Sequence, residues 1–273
     1  MSRRLTDRLL PVAGRLGRRA VALQARVVGA PRLAAWAVAS SSEPYAAPLA
    51  VEEISSLRHL EPADVVGGYL QGHVLMGRGG DTKPEVLLHY VAPRGVIDAT
   101  TARIPKTVAY ERRKSDLRVV HGVALEPVLR ATQRREKTWI VEPLVEPWLA
   151  VERAGFAHAV AAFRGDEMVA GLWGIAVGRT FGIMSMVHHE KSAGSHVLAA
   201  VVDQIGPEGR WDLVDCGSLN RNFVRYGAYD VAPSEFKERV LRSMSTTIAA
   251  LPTESGGSGA GDLRPPSITT SGG

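Results

Sequence analysis

Residues 157–187, AHAVAAFRGDEMVAGLWGIAVGRTFGIMSMV, hold the pattern that decides the fold. Ala157 to Phe163 alternates with the period of a strand, and Arg164-Gly165-Asp166-Glu167 has the composition of a hairpin turn. Met168 to Ile175 is then the returning strand. Gly178 interrupts the chain, and Phe181 to Val187 forms a third strand. Outward from this unit, Leu144 to Arg153 carries apolar residues at helical spacing and stops near Gly155, while Ser192 to Ile205 reads as a second helix. Trp211 to Cys216 is a strand of buried type, and Asn220 to Tyr229 is helix or turn. The order helix, strand, hairpin, strand, strand, helix, strand predicts an α+β fold: a mixed sheet with helices on its faces.

The rest of the chain divides around this block. Residues 1–45 read as a basic helical extension, in which Leu9, Leu10, Val12, Leu16, Val21 and Leu23 recur at helical spacing between arginines. Residues 46–137 are expected to form a small N-terminal α/β domain. It holds a helix from Leu57 to Tyr69, a loop from Gly77 to Gly80, a strand Val86 to Tyr90 that ends at Pro93, and a basic, mostly helical stretch over 102–138. That stretch stops directly before Trp139. The main domain is expected over 138–250. Residues 251–273, rich in Gly, Ser, Thr and Pro, are expected to be a disordered tail.

Composition sets outer bounds. Of the 273 residues, 45% are hydrophobic and 22% charged, as in an ordinary soluble globular protein, and the net charge of +5 favours a polyanionic partner. Cys216 is the only cysteine, so an intrachain disulfide and a cysteine-based zinc site are excluded, and a cytoplasmic location is expected. No apolar stretch is long enough to cross a membrane. Arg15, Arg18, Arg19 and Arg26 interrupt what an export signal after Arg3-Arg4 would need to be apolar.

Several short pieces, in one order, resemble the leucyl/phenylalanyl-tRNA–protein transferase family. They are Thr138-Trp139-Ile140, Gly155-Phe156-Ala157-His158-Ala159, the run from Val169 to Gly178 with Phe181, Ser185-Met186 with Ala193, Leu213-Val214-Asp215-Cys216, Leu219-Asn220 and Gly227-Ala228. Tyr69-Leu70-Gln71-Gly72 through Ala92-Pro93-Arg94-Gly95-Val96 resembles the family's first motif more loosely. The resemblance implies a small N-terminal domain followed by a GNAT-like (acetyltransferase-like) domain. The pyrophosphate loop of acetyl-CoA enzymes is replaced by Glu190-Lys191-Ser192-Ala193-Gly194-Ser195, which speaks against coenzyme A as donor.

The implied chemistry is sparse in its demands. An aminoacyl-tRNA is an activated ester, so its transfer to an amine needs attack geometry, a place for the proton and donors for the oxyanion. No metal or cofactor is expected; aminoacyl-tRNA is the co-substrate. By the resemblance, Trp139 stacks on the terminal adenine of the tRNA and Asn220 holds the same 3′ end. The family's second tryptophan falls near Met76. An aminoacyl pocket is implied at Leu172, Phe181, Ile183, Met186, Leu198, Val201 and Val214. Asp215, Ser218 and Asn220 are the expected catalytic residues, and Met184, Ser185 and Gly217 the acceptor side. Two departures stand out: Met184 replaces a glutamate tied to recognising a basic acceptor residue, and Gly217 replaces a glutamine that works with the aspartate. His188 and His189, adjacent on a strand, point to opposite faces, and the surface is the expected place for them.

Three readings follow. Loss of the acceptor-recognition residues favours acylation of a small amine in specialised, natural-product (antibiotic) biosynthesis. The alternatives are tagging of protein N-termini and a catalytically degenerate tRNA-binding module. Aminoacyl-tRNA and an amine acceptor are the expected partners, with no membrane.

Overall fold

The computed structural model describes residues 62–70, 72–78 and 85–249. The expected extension at 1–45 and tail at 251–273 lie outside these. In chain order the elements are α1 (Pro62–Leu70), β1 (His73–Arg78), β2 (Glu85–Tyr90), β3 (Arg94–Asp98), α2 (Lys106–Lys114), β4 (Arg118–Val123), α3 (Leu125–Gln133), a 3-10 turn (Glu142–Leu144), α4 (Val145–Arg153), β5 (Ala157–Arg164), β6 (Glu167–Val177), β7 (Thr180–His188), α5 (Ala193–Val202), β8 (Leu213–Gly217), α6 (Arg221–Arg225), β9 (Tyr229–Val231) and α7 (Pro233–Ala249).

The stretch that decides the fold forms the centre of a seven-stranded sheet, ordered β4-β5-β6-β7-β8-β3-β9. β5, β6 and β7 run antiparallel through long registers, and β7 and β8 form the parallel pair. The fold is α+β with a mixed sheet covered by helices on both faces, as expected. The tight β5–β6 hairpin places Gly165 at φ 58°, a left-handed conformation that favours glycine there.

Local expectations fail where charge hides a strand. β4 lies inside the basic run expected to be helical. Its Val119 and Val120 pair with Ala162 and Ala161 on β5, so partners from another element override the local composition. β1, β3 and β9 were also not expected as strands. β3 is inserted between β8 and β9 by antiparallel pairing on both sides. Two strands of the sheet, β3 and β4, therefore come from before residue 138, where the main domain was expected to begin.

Alternation along the strands separates two cores. One, on the side of α5 and α2, gathers Leu172, Phe181, Leu198, Val201 and Val214 with Trp211, whose ring stacks on Phe181 at 5.0 Å between centroids. The other gathers residues of α1, α3, α4 and α7 with Trp148, Trp173, Val96 and Leu213. Two of the sheet's register shifts flank the β7–β8 pair. One, between Trp173 and Gly174, leaves Met184 as the extra residue of β7; the other leaves Cys216 as the extra residue of β8. The parallel ladder of β7 and β8 stops at the pair Gly182 and Asp215. Beyond it the two strands no longer pair, and a gap opens.

Candidate active site

A cavity lies at this gap, about 190 Å³ in volume, walled on one side by the sheet and on the other by the β1–β2 hairpin. Its described lining includes Met76, Arg94, Trp139, Ile183, Met184, Asp215 and Ser218. Trp139 is half-buried. It leans on the fully buried Trp173 with centroids 5.9 Å apart, and Trp173 is fixed in turn by the edge of Trp148 and by a 3.0 Å hydrogen bond from its Nε1 to Thr132 Oγ1. The Trp139 carbonyl accepts from the Gly77 amide at 2.8 Å, which brings Met76 beside Trp139. Glycine is required at that contact. A Cβ on Gly77 would lie 2.4 Å from Val141 and 2.7 Å from the Trp139 carbonyl oxygen.

The floor is a buried ionic cluster. Asp215, only 1% exposed, accepts from the Tyr69 hydroxyl at 3.0 Å through Oδ2 and from the Gly217 amide at 2.8 Å through Oδ1. Arg94 Nη1 lies 3.7 Å from Oδ2. The guanidinium is equally buried and packs over the rings of Phe236 and Tyr69, with its carbon 4.8 and 5.7 Å from their centroids. None of its three nitrogens has a hydrogen-bond partner among the described residues. Burial, reinforced by the Asp215 carboxylate, pushes the Tyr69 hydroxyl well above the usual tyrosine range, so it remains a donor. Gly182 makes this approach possible, since a Cβ there would sit 2.6 Å from the Tyr69 hydroxyl oxygen.

The residues expected at the site do not all gather at the cavity. Trp139, Ile183, Met184, Asp215 and Ser218 meet at the cavity. Gly217 adjoins it at φ 68°, with no described atom within 4 Å of where a Cβ would stand. Ser185 is buried beside the Met184 bulge, where Arg135 Nη1 donates to its Oγ at 3.3 Å and to the Met186 carbonyl at 3.1 Å. Asn220 is exposed and caps α6: its Oδ1 accepts from the amides of Asn222 and Phe223. Leu172, Phe181, Leu198, Val201 and Val214 are not in the lining; each is at most 2% exposed in the closed core behind the sheet. Met186 packs at the edge of that core. His188 and His189 are both exposed, at the surface. Burial pushes the Cys216 thiol well up, with Asp215 adding to the effect, which removes it as a nucleophile.

Sequence reading did not single out Arg94 and Tyr69. Both sit inside the first motif, and the signal that could have found them is an arginine next to a proline in an otherwise strand-like run.

Among the described residues no group of three or more His, Cys, Asp or Glu side chains could hold a metal ion, and no helix is long and apolar enough to cross a membrane. The sequence model of the family described as leucyl/phenylalanyl-tRNA protein transferase matches residues 96–241. A protein of that description from Rubrobacter xylanophilus is 32% identical over 187 residues, which cover 68% of this chain and 95% of the relative. Another, from Anaeromyxobacter dehalogenans (strain 2CP-C), is 29% identical over 194 residues, covering 62% and 83%. Among solved structures, a GCN5-related N-acetyltransferase from Kribbella flavida overlaps 51% of this chain and 54% of its own at TM-score 0.36 and 13% identity.

Proposed function

This chain belongs to the leucyl/phenylalanyl-tRNA–protein transferase family, and from that premise we propose that it moves an amino acid from a tRNA 3′ end onto the N-terminal amine of a protein. It is an aminoacyltransferase, and aminoacyl-tRNA is its substrate. A small-molecule acceptor, the reading first favoured on sequence, gives way to the protein acceptor, because the relatives that carry the protein-transferase description align over most of their own length. Charged tRNA is a cytoplasmic substrate, and the cytoplasm is the proposed location.

The observation that carries this reading is the convergence of Trp139, Met76, Ile183, Met184, Asp215 and Ser218 on one cavity. The terminal adenine is seated against Trp139, with Met76 on the opposing wall. Exposed Arg134, Arg135 and Lys137, immediately before Trp139, take the adjoining phosphates. The donor side chain enters past Ile183, which the closed core of Leu172, Phe181, Leu198, Val201 and Val214 supports from behind. Asn220, with its oxygen used in the cap, offers its amide nitrogen to the 3′ end.

In the transfer itself the neutral amine attacks the ester carbonyl carbon. A C–N bond forms, the C–O bond to the ribose oxygen breaks, and the proton lost by nitrogen ends on that oxygen. Both carboxylate oxygens of Asp215 are engaged, so its role is that of an electrostatic anchor for the incoming amine. Ser218, exposed and lining the cavity, relays the proton.

The test is transfer of label from unfractionated tRNA, charged with radiolabelled amino acids, to peptides with free or acetylated N-termini. Label is expected on the free α-amine only. Trp139→Ala is expected to raise the KM for charged tRNA by about 10- to 100-fold, the range of a lost base–aromatic stack. Label on small amines alone would restore the small-molecule reading. Binding of tRNA without product would leave a silent module.

A further inference from the structure

The transfer has one duty that neither Asp215 nor Ser218 can fill. A group must hold the proton between its loss by the amine and its arrival on the ribose oxygen. Asp215 is closed to it: Oδ2 accepts from the Tyr69 hydroxyl, Oδ1 accepts from the Gly217 amide, and the residue is 1% exposed. The Ser218 hydroxyl can pass a proton on but is too weak a base to keep one near neutral pH. A guanidinium such as that of Arg94 has no acceptor to offer.

We propose that His89 is the missing group, the general acid–base of the transfer, an inference that rests on the aminoacyl-transfer reading of this cavity. In the β1–β2 hairpin Val74 stands opposite His89 and Met76 opposite Leu87. Side chains alternate along a strand, so Val74 and Met76 on β1 and His89 and Val91 on β2 share the face that lines the cavity. His89 is exposed there. From the level of Met76 the chain runs through His89 and Val91 to Arg94, beside Asp215. The imidazole therefore lies between the seat of the terminal adenine and the floor that anchors the amine, the level at which the ribose ester is held.

Among the described lining residues the acidic and basic side chains are His89, Arg94 and Asp215. The rings of His73 and Tyr90, 5.1 Å apart, belong to the opposite face of the hairpin and are not in that lining. Imidazole, with an ordinary pKa of about 6.5, both takes and gives a proton near neutrality. When the amine attacks, the C–N bond forms and the nitrogen of the tetrahedral intermediate is cationic. Its proton passes through Ser218 to the neutral ring of His89. The imidazolium returns it to the ribose oxygen as the C–O bond breaks, and His89 ends as it began. The competing role for the ring is a flat surface for the adenine, and the choice of variants separates the two.

The experiment is single-turnover transfer by the full chain, from charged unfractionated tRNA to a peptide with a free N-terminus. His89→Phe keeps a flat ring and His89→Gln keeps polarity, but neither holds a proton. Both are expected to slow transfer by about 100-fold or more, the scale of a lost acid–base group. Charged-tRNA binding is expected to change by less than about threefold, too little for a lost base stack. In His89→Gly, added imidazole is expected to restore the rate by about tenfold or more, and pyrazole, of the same shape but weakly basic, to leave it unchanged. A Phe variant within about threefold of the wild-type rate overturns the inference, since a ring without a base would then suffice. Equal rescue by imidazole and pyrazole also overturns it, because the ring would only fill space. If the wild type labels a small amine and no peptide, the protein-acceptor reading falls, and the same variants on that amine decide for or against His89. Binding of charged tRNA with no transfer to either acceptor overturns both.

Discussion

On the α5 side of the sheet, Phe181, Leu198, Val201 and Val214 close against one another and against Trp211, each 7% exposed or less. On the opposite side the core closes around Trp148 and Trp173 and then stops, because Arg94 and Asp215 occupy its edge and the Met184 bulge turns β7 away from β8. The two sides draw on the same residue classes. What differs is that one is built of apolar groups with a single imidazole, His196 of α5, buried among the described residues there, and the other buries an ion pair. A guanidinium left with unfilled donors keeps a demand for a ligand that an apolar core does not have. Closed packing is stability; the unfinished side is where chemistry is available.

The sharpest way to break that contrast is to remove the ion pair. Arg94→Met leaves Asp215 buried without its cation and is expected to cost about 3–5 kcal/mol of folding stability, read by urea denaturation. A cost below about 1 kcal/mol would mean that the cluster is hydrated and that the two sides differ less than proposed. Next in size, Leu198→Ala on the closed side is expected to cost about 2–5 kcal/mol while the choice of donor amino acid stays as in the wild type. Transfer of a different spectrum of amino acids by this variant would show that the α5 side opens to substrate after all.

The smallest effect concerns how β3, which carries Arg94, is held. Burial raises the carboxyl of Asp98 at its far end, but hydrogen bonds from Thr100, Tyr229 and Arg239 outweigh this and bring it down to about 2 from 3.8. The folded state thus binds the proton less readily than the unfolded one. Its contribution is present above about pH 4 and is lost as pH falls toward 2. Asp98→Asn is expected to flatten the stability profile in that window, measured by thermal unfolding between pH 2 and pH 5.

The sequence made the central hairpin readable because Ala157 to Val187 pairs with itself, so local alternation carries its register. Of the residues expected at the site, Trp139, Met184 and Asp215 line the cavity and Gly217 adjoins it. The site was unreadable where partners are distant. Tyr69 reaches Asp215 across 146 positions, and Arg94 lies buried beside the same carboxylate. The charge of Arg118 to Val123 reads as helix, although its strand is set by β5. Of the apolar residues expected in a pocket, Ile183 lines the cavity, while Leu172, Phe181 and Val214 on strands and Leu198 and Val201 on α5 lie on the closed side, a distinction that depends on which face each pleat turns toward the helix.

The central claim is that the transferase works at the cavity where Asp215 lies, and single-turnover transfer from charged tRNA to a free N-terminus by Asp215→Asn tests it most directly. The asparagine keeps the shape, loses the charge, and has one oxygen to accept from either Tyr69 or the Gly217 amide, not both. The expected result is a rate at least about 100-fold below wild type, with circular dichroism and charged-tRNA binding retained. An unchanged rate from the folded variant would contradict the claim.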